Sequence, residues 1–397
     1  MQVNLLHTAD WHLGKDLYNY GRQREFEDFF SKLKISLREN DIDILIVSGD
    51  VFDTASPGNF VAGTYYGLIN DLHNEFPDLE IIITGGNHDL PSYLNAPKEI
   101  LKSFKVRVVG CVPRLEDGSI DFDSMVLEVL DNGGELKAVV CAVPFLRRGD
   151  FSGDMTVGKI YSQVVERALI RAQGKDVPII ATGHLTTSNA VYSTSSGGQT
   201  GGLDSIDSDE FPQGISYLAL GHIHKPQPVD GKKYIRYSGS PIPFSFAEKD
   251  YKHSLTVVEF SGKEISEIRL ESLPPLIPLL TVPETPQNLA GVKKALLDLP
   301  DDKEMYLEVN LLYEFVNPDN KAVLIEILKD KKAKFCTFKN NYQNGENSQN
   351  QIRTFSAEEF KNADPLKIMK EIFLSKQKTE MPDKYAEMLA QIIEEIN

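Results

Sequence analysis

The chain has 397 residues, of which 41% are hydrophobic and 25% are charged. This length exceeds one ordinary domain, and this composition is typical of a globular protein with a large core. The formal net charge of -16 excludes a protein that holds nucleic acid by its overall charge, so any contact with DNA needs bound cations, a local basic surface or a partner.

Nothing in the sequence predicts a targeting segment, a membrane span or a disulfide framework. The longest apolar runs have the length of a strand, so no transmembrane helix is expected. The N-terminus lacks a basic stretch followed by a long apolar one, so no signal peptide is expected. The three cysteines, Cys111, Cys141 and Cys336, are far apart, which indicates reduced thiols in a cytoplasmic protein.

The N-terminal part of the chain alternates short apolar strands with amphipathic helices. Apolar residues at helical spacing predict two helices, and short aliphatic runs predict three strands. In chain order these are a strand at 3–8, a helix at 22–40, a strand at 44–48, a helix at 60–76 and a strand at 80–84. This alternation is typical of a layered α/β domain.

The middle of the chain is rich in strands and ends at a proline cluster. Strands are predicted at 106–109, 138–143, 179–181, 217–220, 234–237 and 255–260, with a helix at 157–173. The stretch 186–204, rich in Ser, Thr and Gly, is a long loop, and such loops are either functional or disordered. The prolines within 273–278 are the best linker signal, so residues 1–272 are predicted to form the first domain.

A second, smaller domain and a separate tail are predicted beyond this linker. Alternating strands and helices at 279–282, 290–299, 305–312, 321–329 and 334–338 suffice for a small α+β domain over 273–340. Residues 341–355, rich in Asn and Gln, are predicted to be a flexible linker. A capping-box pattern then begins two amphipathic helices, so a helix–loop–helix is predicted over 356–397.

Five short motifs carry the chemistry, and each follows an apolar strand. They are Asp10-x-His12, Gly49-Asp50-x-x-Asp53, Gly86-Asn87-His88-Asp89, Gly183-His184 and Gly221-His222-Ile-His224. No motif by itself is more often functional than structural. Because ligands are held at the strand ends of α/β sheets, and glycine lets the chain turn sharply there, the five together indicate one site.

The donor atoms in these motifs predict a metal site. A ligand set of two Asp, one Asn and four His from these motifs favours Mn, Fe or Zn over copper(I) or an iron–sulfur cluster, because no thiolate is among them. These donors are too many for one ion with an open position, but they suit two ions that share a carboxylate. Two ions of this kind form a clamp for phosphoryl hydrolysis. The sequence has no P-loop motif, so no nucleotide cofactor is expected.

These motifs resemble those of the calcineurin-like metallophosphoesterases, over roughly residues 1–272. The resemblance implies an α/β sandwich of two mixed sheets flanked by helices, with a dinuclear site at one edge. It implies three groups of metal ligands: Asp10, His12 and His224 on one ion, Asn87, His184 and His222 on the other, and Asp50 between them. His88 would stabilise the transition state and protonate the leaving oxygen, and the Asp53 carboxylate would orient His88.

Within this family, the stretches 7–14, 48–53, 219–224 and 237–246 resemble nuclease subunits that work with an SMC-like ATPase in bacteria. The last stretch is the most discriminating, because it contains no metal ligand and is not general to phosphoesterases. The resemblance implies a Mn-dependent DNA nuclease of repair and recombination, acting on double-stranded ends as an exonuclease and on single strands or hairpins as an endonuclease. It also implies a capping domain, C-terminal helices that bind the ATPase, and a homodimer within a heterotetramer.

Contacts with DNA and two other functions stay open. Basic residues close to the motifs are candidates for phosphate contacts, although each is also compatible with solvated surface charge: Lys15, Arg22, Arg24, Arg147, Arg148 and Lys225. Tyr18 and Tyr20 would stack on bases or pack in the core.

Two alternative functions stay open. One is a phosphoesterase for nucleotides or phosphoproteins, which the negative charge favours. The other is a catalytically silent scaffold that tethers DNA, which the intact ligands disfavour. The protein is expected in the cytoplasm, associated with the nucleoid.

Overall fold

A computed structural model describes residues 1–151, 153–191, 205–313 and 319–342, together with the single residues Phe373 and Tyr385. The chain divides into two compact units, one of residues 1–311 and 318–339 and one of residues 312–317 and 340–397. The helix–loop–helix predicted over 356–397, nearly all of the linker predicted before it and most of the long loop at 186–204 lie outside the described residues. In the part that is described, no helix combines the length and the apolar character needed to cross a membrane.

Strands and helices alternate in the N-terminal part, as the apolar pattern predicts. In chain order they are β1 (Gln2–Thr8), α1 (Gln23–Glu39), β2 (Ile44–Ser48), α2 (Asn59–Glu75), β3 (Glu80–Thr84), α3 (Pro91–Asn95), α4 (Lys98–Leu101) and β4 (Val106–Val109). The four strands are parallel neighbours. Parallel strands are usually covered on both faces, which explains why every residue of β2 is buried.

The middle of the chain forms a second sheet. Its elements are β5 (Val126–Leu130), β6 (Leu136–Cys141), α5 (Val157–Arg171), β7 (Ile179–His184), β8 (Tyr217–Gly221), β9 (Gln227–Val229) and β10 (Lys232–Tyr237). The strands lie in the order β5-β6-β7-β8-β10-β9. The four inner strands are parallel, and each edge strand is antiparallel to its neighbour, so the sheet is mixed.

The chain then returns to the first sheet with β11 (Ser254–Ser261) and β12 (Glu264–Ser272). β11 pairs antiparallel with β1, and the sheet has the order β12-β11-β1-β2-β3-β4. Alternate residues of β1 serve two cores: Val3 and Leu5 pack between the two sheets, whereas Leu6 packs under α1 and α2. The predicted two-sheet sandwich flanked by helices is therefore confirmed.

A third sheet follows the sandwich, with the predicted order of strands and helices. Its elements are β13 (Leu279–Gln287), α6 (Leu289–Leu297), β14 (Met305–Tyr313), α7 (Asp319–Leu328) and β15 (Ala333–Tyr342). The strand order is β13-β14-β15, with β13 and β14 parallel. Tyr306 of β14 is fully buried in a small apolar cluster with Leu17, Phe246, Ile277 and Leu279. This cluster attaches the third sheet to the loops that follow β1 and β10. The division between two domains near residue 272 stays a prediction.

Candidate metal centre

The five motifs lie at the carboxyl ends of five strands. In the first sheet, β1, β2 and β3 run parallel, so the residues that follow Thr8, Ser48 and Thr84 emerge at one edge. In the second sheet, β7 ends at His184 and the parallel β8 ends at Gly221. Two sheets therefore deliver polar side chains to one place.

One half of the centre consists of Asn87, His184 and His222. The Nε2 atom of His184 and the Nδ1 atom of His222 each lie 3.0 Å from the Oδ1 atom of Asn87. The Oδ2 atom of Asp50 lies 3.3 Å from the same nitrogen of His184. The Nδ1 atom of His184 lies 2.9 Å from the carbonyl oxygen of Ser48, which orients the ring with Nε2 towards the centre.

The other half consists of Asp10, His12 and His224. One donor atom from each of these residues lies within 4.8 Å of the other two, and the Nε2 atoms of the two histidines are 3.2 Å apart. Asp50 Oδ2 lies 3.5 Å from His12 Nε2, so this carboxylate stands between the two halves. All the residues predicted to be metal ligands are thus brought together. Donor atoms of His12, Asp50 and His88, and of Asp10, Asp50 and His184, also lie within 4.8 Å of one another, so the division of the ligands between two ions stays a prediction.

The charges of the centre are set by burial and by its two carboxylates. Burial alone would lower the pKa of His184, but the carboxylates of Asp50 and Asp10 raise it to about 9. Burial alone would raise the pKa of Asp50, whereas His184 and His12 hold it well below its usual range. Burial and the nearby His184 lower the pKa of His222 to about 3, so this imidazole is neutral and ready to bind a metal. Two buried carboxylates, an amide oxygen and facing imidazole nitrogens form a donor set suited to Mn, Fe or Zn.

The backbone at the centre has an unusual conformation. Asp10, His12, Asp50 and His222 have φ angles of 53°, 45°, 50° and 93°, which residues other than glycine rarely adopt. Only glycine fits at the neighbouring position 86, because a Cβ there would lie 2.1 Å from Asp50 Oδ1. The turns at the strand ends therefore place backbone and carboxylate in direct contact.

His88 lies beside the centre. Its Nδ1 atom is 2.9 Å from the main-chain carbonyl oxygen of Asp53, and its ring packs edge-on against His12 with centroids 4.8 Å apart. The His88 main-chain N–H donates to Asp50 Oδ1 over 2.9 Å. A carbonyl oxygen only accepts, so Nδ1 carries a proton, and Nε2 is the atom that remains for a substrate.

The role expected for the Asp53 carboxylate differs from its observed contacts. Its Oδ1 atom lies 2.6 Å from Lys15 Nζ and 3.4 Å from His12 Nδ1, and Asp53 holds His88 through its main chain. Burial alone would raise the pKa of Asp53, but His12 and Lys15 lower it to about 2. The turn that follows β2 explains the difference, because it directs the carbonyl towards His88 and the carboxylate towards Lys15.

Glu248, which the sequence analysis missed, supports one ligand. Its Oε1 atom lies 3.1 Å from His224 Nδ1, and its Oε2 atom accepts the main-chain N–H of Phe244 over 2.9 Å. Burial alone would raise the pKa of Glu248, but His224 holds it below its usual range. Glu248 lies two residues beyond the stretch 237–246, outside the five motifs.

Asp89 belongs to one of the five motifs but had no predicted role. Its carboxylate accepts the main-chain N–H groups of Val51, Phe52 and Gly86 over 3.2, 3.0 and 2.9 Å. It therefore joins the turn after β2 to the turn after β3. A buried carboxylate that satisfies three main-chain donors is a structural device, and only the folded chain reveals it.

Arg22 does not lie where DNA could reach it, which corrects the expectation for this residue. It is only 2% exposed, and its guanidinium is paired with Glu25. The partner is one helical turn away on α1, so the charge is satisfied within the protein. Arg24 is exposed and paired with Glu304.

The other basic residues lie closer to the motifs. Arg147 is half-buried and donates to the carbonyl oxygen of Asp89 over 3.1 Å, whereas Arg148 is exposed. Lys15 is paired with Asp53, and the Nζ atom of Lys225 lies 5.9 Å from the ring centroid of Tyr251. Contacts of these residues with DNA stay a prediction.

Comparison with known proteins relates the chain to phosphoesterases. A family model described as calcineurin-like phosphoesterase matches residues 3–226. Three similar proteins are named as the SbcD component of the nuclease SbcCD. The one from Rhodobacter capsulatus is 33% identical over 319 residues, which cover 75% of this chain and 77% of the relative. Those from Escherichia coli K12 and Bacillus subtilis are 29% and 30% identical and cover 78% and 69% of this chain, and 78% and 71% of themselves.

Proposed function

Because the chain belongs to the calcineurin-like phosphoesterase family, and within it to the SbcD nucleases, we propose that its metal centre hydrolyses phosphodiester bonds of DNA. The observation that carries the proposal is the meeting of seven oxygen and nitrogen donors from two sheets, with His88 beside them. The proposal includes exonucleolytic cutting of double-stranded ends and endonucleolytic cutting of single strands or hairpins.

The ligands of the proposed reaction form two groups around Asp50. The residues that would hold the ions are Asp10, His12 and His224 for one, Asn87, His184 and His222 for the other, and Asp50 for both. When bound, two such ions supply an acidified water and neutralise charge on the phosphoryl oxygens. Mn²⁺ is the ion that we propose, and Fe and Zn share its preference for this donor set.

His88 is the proton donor of the proposed reaction. Its Nδ1 atom is held by the Asp53 carbonyl oxygen, so the ring presents Nε2 outward from a fixed position. A proton on Nε2 would stabilise the charge that develops on the phosphoryl group and would pass to the leaving oxygen. Lys15 keeps Asp53 in place through the 2.6 Å ion pair, so it supports His88 indirectly.

The substrate and the partner complete the proposal. Lys15, Arg147, Arg148 and Lys225 would contact the phosphates that flank the scissile bond. The relatives are named as components of a complex, SbcCD, and we propose that an SbcC-like SMC ATPase binds the helices predicted over 356–397. A homodimer within a heterotetramer, in the cytoplasm and associated with the nucleoid, belongs to the same proposal.

The test is cleavage of a labelled DNA hairpin by the full chain, with and without Mn²⁺, in the native protein and in His88→Ala. We expect Mn²⁺-dependent cutting that falls at least about a hundredfold in His88→Ala while the bound metal, measured by elemental analysis, is unchanged. His73→Ala is the matched control, because His73 lies on α2 and packs against Phe104. His73→Ala should cut like the native chain.

Two results would contradict the proposal. If His88→Ala cuts the hairpin as fast as the native chain, His88 is not the proton donor. If neither the chain alone nor the chain with the ATPase cuts DNA, while small phosphodiesters are hydrolysed quickly, the enzyme is a phosphoesterase for another substrate.

A further inference from the structure

We propose that Arg22 is a positioning residue that couples the third sheet to one half of the metal centre, the half formed by Asp10, His12 and His224. The inference rests on the proposed function, because it assigns Arg22 a role toward the ions of that centre. It replaces the expected contact with DNA by a different role for the same residue.

Arg22 is a buried charge that is paired within the protein. Its side chain is 0% exposed, and that of Glu25 is 1% exposed. The Nε atom donates to Glu25 Oε2 over 2.9 Å, one terminal nitrogen pairs with Glu25 Oε1, and the other donates to the carbonyl oxygen of Pro243. A buried ion is costly unless it is paired and hydrogen-bonded, and here each of the three guanidinium nitrogens has an acceptor.

The third sheet contacts this ion pair through Tyr306. The Tyr306 hydroxyl donates to Glu25 Oε2 over 2.9 Å, and the Arg22 guanidinium lies 5.8 Å from the centroid of the Tyr306 ring. Tyr306 is fully buried on β14, the central strand of its sheet. A shift of β14 would therefore move the partner of Glu25 and, through Glu25, the Arg22 guanidinium.

Phe244 connects Arg22 to the metal centre. The guanidinium lies 5.9 Å from the centroid of the Phe244 ring and also holds the carbonyl oxygen of the preceding Pro243. The Phe244 ring packs edge-on against His12 and His224, with centroids 5.2 and 5.5 Å away. Its main-chain N–H is bound by Glu248, the residue that also holds His224.

These contacts reach only one half of the centre. Among the residues that the structure describes, the histidine rings packed against Phe244 are His12 and His224, whereas His184 packs against Phe145 and His222. Loss of a residue that holds a metal ligand in place without binding the metal itself typically changes metal affinity by about 10–100-fold. A role limited to holding α1 in place would lower stability without a preference for one ion.

The experiment measures Mn²⁺ binding to the metal-free full chain by titration calorimetry, without DNA. Tyr306→Phe removes one hydroxyl and its bond to Glu25, and Arg22→Lys keeps the charge but loses the planar fork. The control is Tyr65→Phe, because Tyr65 is fully buried and its hydroxyl has no hydrogen-bond partner among the described residues. His12→Ala identifies which of the two binding steps belongs to the half under test.

We expect Tyr306→Phe to weaken that step about three- to tenfold and Arg22→Lys to weaken it about tenfold or more, with the other step unchanged. Tyr65→Phe should leave both steps unchanged. The proposal is overturned if both steps weaken equally, or if neither step changes in Tyr306→Phe and Arg22→Lys. Because no DNA is present, absence of nuclease activity would not alter the outcome of this experiment.

Discussion

At the scale of single residues, the metal centre depends on backbone contacts between motifs. The main-chain N–H of Asp10 donates to the carbonyl oxygen of Gly49 over 3.0 Å, and the main-chain N–H of His12 donates to the carbonyl oxygen of Asp50 over 2.9 Å. The main-chain N–H of His222 donates to the Asp10 carboxylate over 2.8 Å. A left-handed backbone costs about 1–3 kcal/mol for each such residue and persists only where its surroundings impose it. These hydrogen bonds join the turns that carry the ligands and impose this conformation.

Substitution of Gly86 tests this close packing. In Gly86→Ala the new Cβ would lie 2.1 Å from Asp50 Oδ1 and 2.3 Å from the Asp50 main-chain nitrogen. We expect Mn²⁺ binding to be lost and the free energy of unfolding to fall by about 1–3 kcal/mol, measured by calorimetry and by urea denaturation. The matched control is Gly63→Ala on α2, where a Cβ meets nothing within 4 Å. That variant should be up to about 1 kcal/mol more stable. Equal Mn²⁺ affinity in the two variants would contradict the expectation.

The cysteines give a second expectation at this scale. Burial raises the pKa of Cys141 to about 12 and that of Cys336 to about 11, so at pH 8 almost none of either thiol is the reactive thiolate. Cys111 is partly exposed. We expect iodoacetamide at pH 8 to label Cys111 first, as followed by mass spectrometry of tryptic peptides. Equal labelling rates for the three sites in the native chain would disprove this order. The urea-unfolded chain, in which the rates should converge, is the control.

At the scale of elements, the positions of the strands near the site could be predicted because each is a short aliphatic run that stops at a polar turn. β2 and β3 have the predicted bounds, and the turns that follow them carry Asp50 and Asn87. The positions of a strand and of the turn after it depend on residues that are neighbours in the chain, so they can be predicted from the sequence. Within each sheet the meeting of the ligands was inferable for the same reason, since parallel strands end at one edge. That the two sheets share one site was implied by the family resemblance, not by the strand pattern.

The supporting contacts could not be predicted, because they join residues far apart in the chain. Arg22 was interpreted as a DNA contact from its closeness to a motif, yet one of its acceptors is the carbonyl oxygen of Pro243. The Asp53 carbonyl and carboxylate serve different partners, and no side-chain pattern distinguishes them. Glu248 becomes visible as a support for His224 only when the turn after β10 is in place.

The strand ends also predict how the sandwich responds to metal. A bound ion would relieve the repulsion between Asp10 and Asp50 and link the two sheets, so Mn²⁺ should stabilise the fold by about 2.7 kcal/mol at a free concentration of 100 times Kd. The measurement is the melting temperature with Mn²⁺ and with EDTA. We expect Asp50→Asn to lose most of the shift. Asp154→Asn, at a carboxylate that is 93% exposed, should keep all of it. A full shift in Asp50→Asn would count against the shared carboxylate.

At the scale of the whole molecule, the net charge of -16 opposes contact with DNA. Bound cations would offset this charge where the phosphates lie, so DNA affinity should depend on the metal. We expect His88→Ala, which keeps the ligands, to bind a DNA hairpin at least about tenfold more tightly with Mn²⁺ than with EDTA at one ionic strength, by fluorescence anisotropy. His12→Ala is the control and should respond less. Equal affinity with Mn²⁺ and EDTA would place the DNA contacts on the protein surface alone.

The return of the chain to its first sheet has a consequence for folding during synthesis on the ribosome. His7 of β1 pairs with Thr256 of β11, so one flank of the first strand has no partner until most of the chain has been made. Translation at roughly 5–20 residues per second leaves that flank open for on the order of 10 to 50 seconds. His222 and His224 are also synthesised long after Asp10 and Asp50, so these two carboxylates are present before these two imidazole rings. During this interval the nascent chain carries an unpaired strand edge, and its full set of predicted metal ligands exists only after residue 224 has been made.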